Sequence, residues 1–267
     1  GGDNKLKVSG VNISETFKYK FNKHFDAVAT LGYNTSTSTR DIQGKSIDWY
    51  NYAGTEVTMT NPTADKNYYY KTFSRTDMYT LNAYLNWHQT FAVKHNLAAM
   101  IGTQYNLKEY DYTPVKAQNI LPSLEIINGT GEVLLKNSSN DGPEKWHEGL
   151  LSYFSRLNYN YKSKYLLEGN FRYDGSSKFG TNNKWGFFPS VSASWNITGE
   201  EFMQSQNVIN NLRLRVGYGL AGNQNIPNYG YQTLYDVRAT LGTSALINWG
   251  RYGNPDLRWE KQKQINV

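Results

Sequence analysis

Between residues 151 and 196 the side chains change character with a period of two through three successive segments, and this pattern restricts the fold more than any other feature of the chain. Tyr153, Leu157, Tyr159 and Tyr161 alternate with Ser152, Arg156, Asn158 and Asn160. After the turn at Lys162, Ser163 and Lys164, residues Tyr165, Leu167, Phe171 and Tyr173 alternate with Glu168, Asn170, Arg172 and Asp174. A helix would need a period near 3.6, whereas successive side chains of a strand point to opposite faces. The segments therefore read as antiparallel strands with one apolar and one polar face. A soluble sheet can place such an apolar face on a core, and a transmembrane barrel can place it in lipid. Aromatic placement favours the barrel: Tyr159, Tyr161 and Tyr165 crowd the turn, while Tyr173, Trp185, Phe187 and Phe188 mark the far ends. Amphipathic rings at both ends of an apolar band suit two membrane interfaces.

The same alternation recurs along the chain. Phe17, Tyr19 and Phe21 lead into a tight turn at residues 22–24, and Phe25, Ala27, Ala29, Leu31 and Tyr33 return. Tyr79, Leu81, Ala83, Leu85 and Trp87 form a further strand face, followed after a short connection by Leu97, Ala99, Ile101 and Tyr105. Leu212, Leu214, Val216 and Tyr218 make another, and residues 257–267 open the last. Between these strands the connections alternate. They are short near 22, 89 and 162, moderate near 198, and long at residues 36 to about 72, about 111–144, 175–184 and 222 to about 255. Short periplasmic turns and longer extracellular loops are the asymmetry of an outer-membrane barrel. Strands that lead into short turns then descend toward the periplasm. The expected fold is all-β, an antiparallel meander of about nine strands.

Composition narrows the function. No run approaches the ~20 apolar residues of a helical span, and a polar average is compatible with a barrel because lipid meets only alternate residues. The chain has no cysteine, so a disulfide framework and thiolate metal sites are ruled out. The net charge of +6 is spread over single Lys and Arg residues without a nucleic-acid motif, so no nucleic-acid partner is expected. No basic and apolar leader opens the sequence, and its last residues lie within a strand pattern, so residues 1–267 are expected to be part of a longer barrel domain.

Several segments resemble a known family. Leu151-Ser-Tyr-Phe-Ser-Arg-Leu-Asn-Tyr-Asn-Tyr, Arg172-Tyr-Asp-Gly-Ser-Ser-Lys-Phe-Gly and Gly186-Phe-Phe-Pro-Ser-Val-Ser-Ala-Ser-Trp are similar to the barrel of SusC/RagA-type TonB-dependent transporters of the Bacteroidetes outer membrane. The similarity resumes at Leu212-Arg-Leu-Arg-Val-Gly-Tyr-Gly and Gly253-Asn-Pro-Asp-Leu-Arg-Trp-Glu-Lys. It is strong over residues 146–267 and extends to the first half only in pattern. The resemblance implies a wall segment of a barrel of about 22 strands, whose plug domain and other strands lie outside this sequence. It also implies a SusD-like surface lipoprotein, TonB contact through the missing N-terminal part, and an oligosaccharide or peptide cargo. The alternative reading is a soluble all-β carbohydrate-binding or adhesive protein.

Candidate chemistry is sparse. His24, His88, His95 and His147 lack metal-ligand spacing, although His88 and His95 could meet across a turn. Glu168 and Asp174 share a face with Arg172 between them, which favours an ion-pair network in the wall over a catalytic carboxylate pair. The glycines at 217, 219 and 222 have no helix after them to complete a phosphate cradle. Neither an enzymatic role nor a cofactor is expected. The remaining candidates are loop aromatics, Trp49, Tyr50, Tyr52, Tyr68, Tyr69 and Tyr70, which could stack on cargo or a partner or could pack the loops together.

Overall fold

The computed structural model describes residues 2–44, 48–55, 57–60, 68–118, 132–134, 144–239 and 245–267. Its strands in chain order are β1 (Gly2–Lys20), β2 (Phe25–Gly44), β3 (Asp48–Tyr50), β4 (Val57–Thr60), β5 (Tyr68–Phe91), β6 (His95–Gln118) and β7 (Glu132–Leu134). They continue with β8 (Glu144–Tyr161), β9 (Tyr165–Ser176), β10 (Trp185–Asn196), β11 (Arg213–Asn223), β12 (Leu234–Ala239), β13 (Ala245–Arg251) and β14 (Glu260–Asn266). The main sheet follows the order β1-β2-β5-β6-β8-β9-β10-β11-β14, with β7 added to β6. The pairs β3-β4 and β12-β13 form separate hairpins inside connections, and the described sheet does not close on itself.

The register confirms the faces read from the sequence. Tyr161 pairs with Tyr165, Tyr153 with Tyr173 and Asn158 with Glu168, and β10 continues the rungs with Phe187 opposite Tyr173 and Ser192 opposite Glu168. Most rungs therefore match apolar with apolar and polar with polar, with exceptions such as Phe154 and Phe188 opposite Arg172. A one-residue slip would mix the two faces throughout.

The chain forms two compact units. The first comprises Gly1–Ile13, Tyr33–Met78 and Lys108–His147. It is held by aromatic and polar contacts: Tyr69 packs on Ala117, Tyr110 stacks on Trp146 at 5.1 Å, and Tyr33 and Arg75 both bind Asp77. The second comprises Ser14–Gly32, Tyr79–Leu107 and Glu148–Val267. Its apolar face is bare. Leu167 is 56% exposed and Ile101 65%, and Phe17, Leu31, Leu157, Val191 and Leu214 are exposed beside them. Among the described residues, the buried hydrophobic side chains of this unit are instead Val28 and Phe188, which share the polar face, with Phe179 and Trp259 from the connections.

Several strands run well past the expected boundaries. Residues 36–44 belong to β2, Tyr68–Tyr70 to β5 and residues 111–118 to β6, all of which the alternation left in connections, and β8 begins at Glu144. The physical reason is visible in residues 35–41, Thr-Ser-Thr-Ser-Thr-Arg-Asp: β-branched residues favour a strand, but neither face is apolar, so no hydrophobic period exists to detect. The long connection after β11 likewise contains the β12-β13 hairpin, and the last strand begins at Glu260. The moderate connection after β10 contains two single 3-10 turns, Ile197–Gly199 and Glu201–Met203.

Candidate functional site

The polar face of the second unit carries a connected set of side chains. Arg172 sits centrally on β9, where its Nε donates to Asp174 at 2.9 Å and its Nη2 donates to Ser152 Oγ at 2.8 Å and to Gln104 Oε1 at 3.5 Å. Ser152 is fully buried and Asp174 nearly so. One rung away, Arg156 donates to Asn170 at 2.7 Å, and Asn170 passes the polarity on to Glu168 at 2.7 Å. Each carboxylate is thus held by a donor. Glu168 and Asp174 are six residues apart on one strand, about 20 Å at the usual rise. Carboxylate pairs that hydrolyse glycosides stand within about 10 Å of each other. The arrangement stiffens a polar wall and offers no acid-base pair.

Nearer the short turns the same face forms a concavity of about 750 Å³ whose lining includes Asn96, Asn158, Glu168, Ser192, Arg213 and Arg215. At the opposite end of these strands Phe188 turns inward and is covered by Phe179 and Trp259, at 5.2 Å between the Phe188 and Trp259 rings. Glycine makes this seat possible, because a Cβ on Gly186 would come within 2.5 Å of the Phe188 ring and one on Gly222 would overlap it. Trp259 Nε1 donates to the Lys184 carbonyl at 2.8 Å, and Lys178 pairs with Glu148 at 3.0 Å. Two long connections are fastened to the polar face in this way. Alternation did not single out Phe179 or Trp259, since both lie in connections, and Trp259 reaches Phe188 from a distant part of the chain.

The histidines do not form the pair that sequence proximity allowed. His88 follows the polar-face parity and meets His24, whose Nδ1 lies 3.0 Å from the His88 carbonyl oxygen. His95 falls on the apolar face, where it contacts Tyr159 at 2.8 Å and lies against Tyr161. His88 stands on β5 out of step with Leu81, Leu85 and Trp87, whereas His95 stands on β6 in step with Leu97, Ala99 and Ile101, so the two rings take opposite faces. Among the described residues no group of three or more metal-ligating side chains converges.

The six loop aromatics divide. Tyr69 donates to Asp41 at 2.9 Å, Tyr70 shares a 3.0 Å hydrogen bond with Tyr112, and both rings are buried. The Lys116 ammonium stands 4.8 Å from the centre of the Tyr68 ring, which also covers Gly44. These three pack the first unit. Tyr50 and Tyr52 are exposed, with Tyr52 projecting from the turn that Gly54 closes at φ +71°. The backbone of Trp49 pairs with Met59 in the β3-β4 hairpin; its side chain lies outside the described residues.

An antiparallel meander with a bare apolar face, aromatic rings at the strand ends, a hydrogen-bonded polar face and alternating short and long connections is a segment of a transmembrane β-barrel wall. The chain belongs to the TonB dependent receptor-like β-barrel family, whose pattern it matches over residues 3–267. It is 33% identical over 183 residues to a TonB-dependent receptor of Formosa agariphila, covering 68% of this chain and 17% of that protein. It is 40% identical over 125 residues to the TonB-dependent receptor SusC of Bacteroides thetaiotaomicron, covering 44% of this chain and 12% of SusC. The structure of the RagAB peptide importer in its closed-closed state has the same fold, with a TM-score of 0.83 at 24% identity over 99% of this chain and 28% of that one. The chain therefore spans less than a third of the proteins it resembles.

Proposed function

We propose that this chain is part of the wall of an outer-membrane transporter that imports nutrient oligomers, glycans or peptides, using energy delivered through TonB. A plug domain and the remaining strands are supplied by other parts of the protein. The observation that carries this reading is the bare apolar face. Each of its large side chains, if left in water, forgoes roughly 1.5–3 kcal/mol of burial, and the face spans many strands. Lipid removes that cost.

The polar face then lines the lumen, where the Arg172 and Glu168 networks hold the wall rigid while cargo passes. The exposed Tyr50 and Tyr52 meet a SusD-like surface lipoprotein or cargo at the long-loop end, with Trp49 in the same hairpin. Tyr68, Tyr69 and Tyr70 keep that hairpin's surroundings in place. Similarity to the TonB-dependent receptor SusC and to the RagAB peptide importer supports receptor and import roles. The test is purification of the full protein from outer membranes in detergent, followed by intact mass and identification of bound proteins. A species several times 30.6 kDa with a co-purifying lipoprotein is expected. A folded species that stays in solution without detergent would overturn the reading in favour of a soluble β-sheet binding protein.

A further inference from the structure

The short turns form a row. His88 N donates to the His24 carbonyl at 3.0 Å, linking the first turn to β5 near its end, and Lys162 N donates to the Lys94 carbonyl at 2.8 Å, linking the turns at 92–94 and 162–164. Each of these turns carries an exposed lysine: Lys23, Lys94 and Lys162. Among the described residues none of the three is paired with a carboxylate, whereas nearby Lys164 is neutralised by Glu200 at 2.9 Å. Lys94 and Lys162 are thus two like charges on backbones joined by a hydrogen bond. An anion lying over these neighbouring turns would be attracted by both.

A second, independent feature lies beside them. Val93 adopts φ +63°, a conformation that β-branched residues avoid, and its side chain is 91% exposed. The positive φ belongs to the hairpin turn, as at Lys162 and Ser163, but in water the exposed valine has no cover. At the boundary between headgroups and acyl chains the exposed valine would be covered. Phe202 and Val208 project in the same manner from the connector after β10. On the apolar side of this rim His95, Tyr159, Tyr161 and Tyr165 form a continuous row of amphipathic rings, with 4.7 Å between His95 and Tyr161 and 6.3 Å between Tyr161 and Tyr165.

We propose that Lys94 and Lys162 bind the phosphate of an anionic phospholipid in the leaflet on the short-turn side, with its acyl chains lying along His95, Tyr159 and Tyr161. The Lys162 ammonium already stands 5.4 Å from the Tyr161 ring centre, at the edge where phosphate and acyl regions would meet. An acidic protein surface would satisfy the lysines but would leave the apolar face next to them uncovered. The proposal rests on the transporter reading, since it needs the apolar face to be in a bilayer.

The test uses the full receptor in nanodiscs of phosphatidylethanolamine containing a minority of phosphatidylglycerol, with retained lipids counted by native mass spectrometry. Retention enriched in phosphatidylglycerol is expected. It should fall about fivefold for each lysine removed in K94Q, K162Q and the double variant. K145Q, in the first unit, leaves it unchanged, as does excess inorganic phosphate. Equal retention of both lipids, or enrichment that survives the double variant, would overturn the proposal. If the receptor inserts normally without this preference, only the lipid site falls. If it does not enter the bilayer at all, the transporter reading falls with it.

Discussion

The Lys164 ammonium stands 2.9 Å from the Glu200 carboxylate, tying the turn between β8 and β9 to the connector that follows β10. Trp195 Nε1 donates to the other carboxylate oxygen at 3.1 Å. Hydrogen bonds from Lys164, then Tyr165 and Trp195, hold Glu200 down to a pKa of about 2, against an ordinary value of 4.5. Because the folded value is depressed, the clamp stabilises fully above about 4.5 and is lost as pH falls toward 2. Trp195 fluorescence in the full receptor should shift across that window, and E200Q should abolish the shift. W195F identifies the signal, and a wild-type trace that stays flat to pH 2 would contradict the clamp.

Arg172 satisfies two buried groups at once, so its loss costs more than a surface ion pair. R172M leaves Asp174 and Ser152 without their donor, and a loss of about 1–3 kcal/mol is expected. Because Arg172 is itself partly exposed, water limits the penalty to that range. Urea unfolding of the receptor in vesicles measures it. The S152A/R172M double variant should be less destabilised than the sum of the two single changes, because one interaction is removed by both.

The two faces should respond oppositely to charge. Leu167 lies on the bare apolar face and pairs with Ala193, so L167R should destabilise the inserted barrel by about 2–4 kcal/mol. Ser192 faces the polar side opposite Glu168, and S192R should be close to neutral. Heat-modifiable gel migration after folding into vesicles compares them. Equal effects on both faces would contradict the bilayer assignment.

Gly222 leaves room for the Phe188 ring, and G222A should force the ring off its seat, at a cost of about 1–3 kcal/mol. Hydrogen exchange should then rise in the segments around Phe179 and Trp259, which cover that ring. Unchanged protection there would show that these connections are held by other contacts.

The loop tyrosines should separate by role. Y70F removes the hydrogen bond to Tyr112 and should lower stability by about 1 kcal/mol. Y52A, at a fully exposed side chain, should leave stability unchanged while weakening capture of the surface lipoprotein or cargo. Melting and pull-down from the same preparations distinguish the two, and a binding defect confined to Y70F would reverse the assignment.

The faces and the short turns were legible in the sequence because apolar and polar residues alternate along the strands. Tyr153, Leu167 and Arg172 could therefore be assigned to their faces from position alone. Residues 36–44 and 111–118 could not be recognised as strand, since with no apolar medium on either side their backbone pairing leaves no hydrophobic period. Candidate sites were legible only by residue type. A tyrosine's composition is the same whether it packs or projects, and it took the contacts of Asp41, Tyr112 and Lys116 to place Tyr68, Tyr69 and Tyr70 inside and leave Tyr50 and Tyr52 outside. The sequence by itself thus determined the class of fold and the polarity of each face where strands alternate, both being local properties of neighbouring residues. Only the tertiary structure decided that Phe188 is capped by Trp259, that Glu200 clamps Lys164 and that Lys162 meets Lys94, because these contacts depend on the pairing of strands and turns distant in the chain.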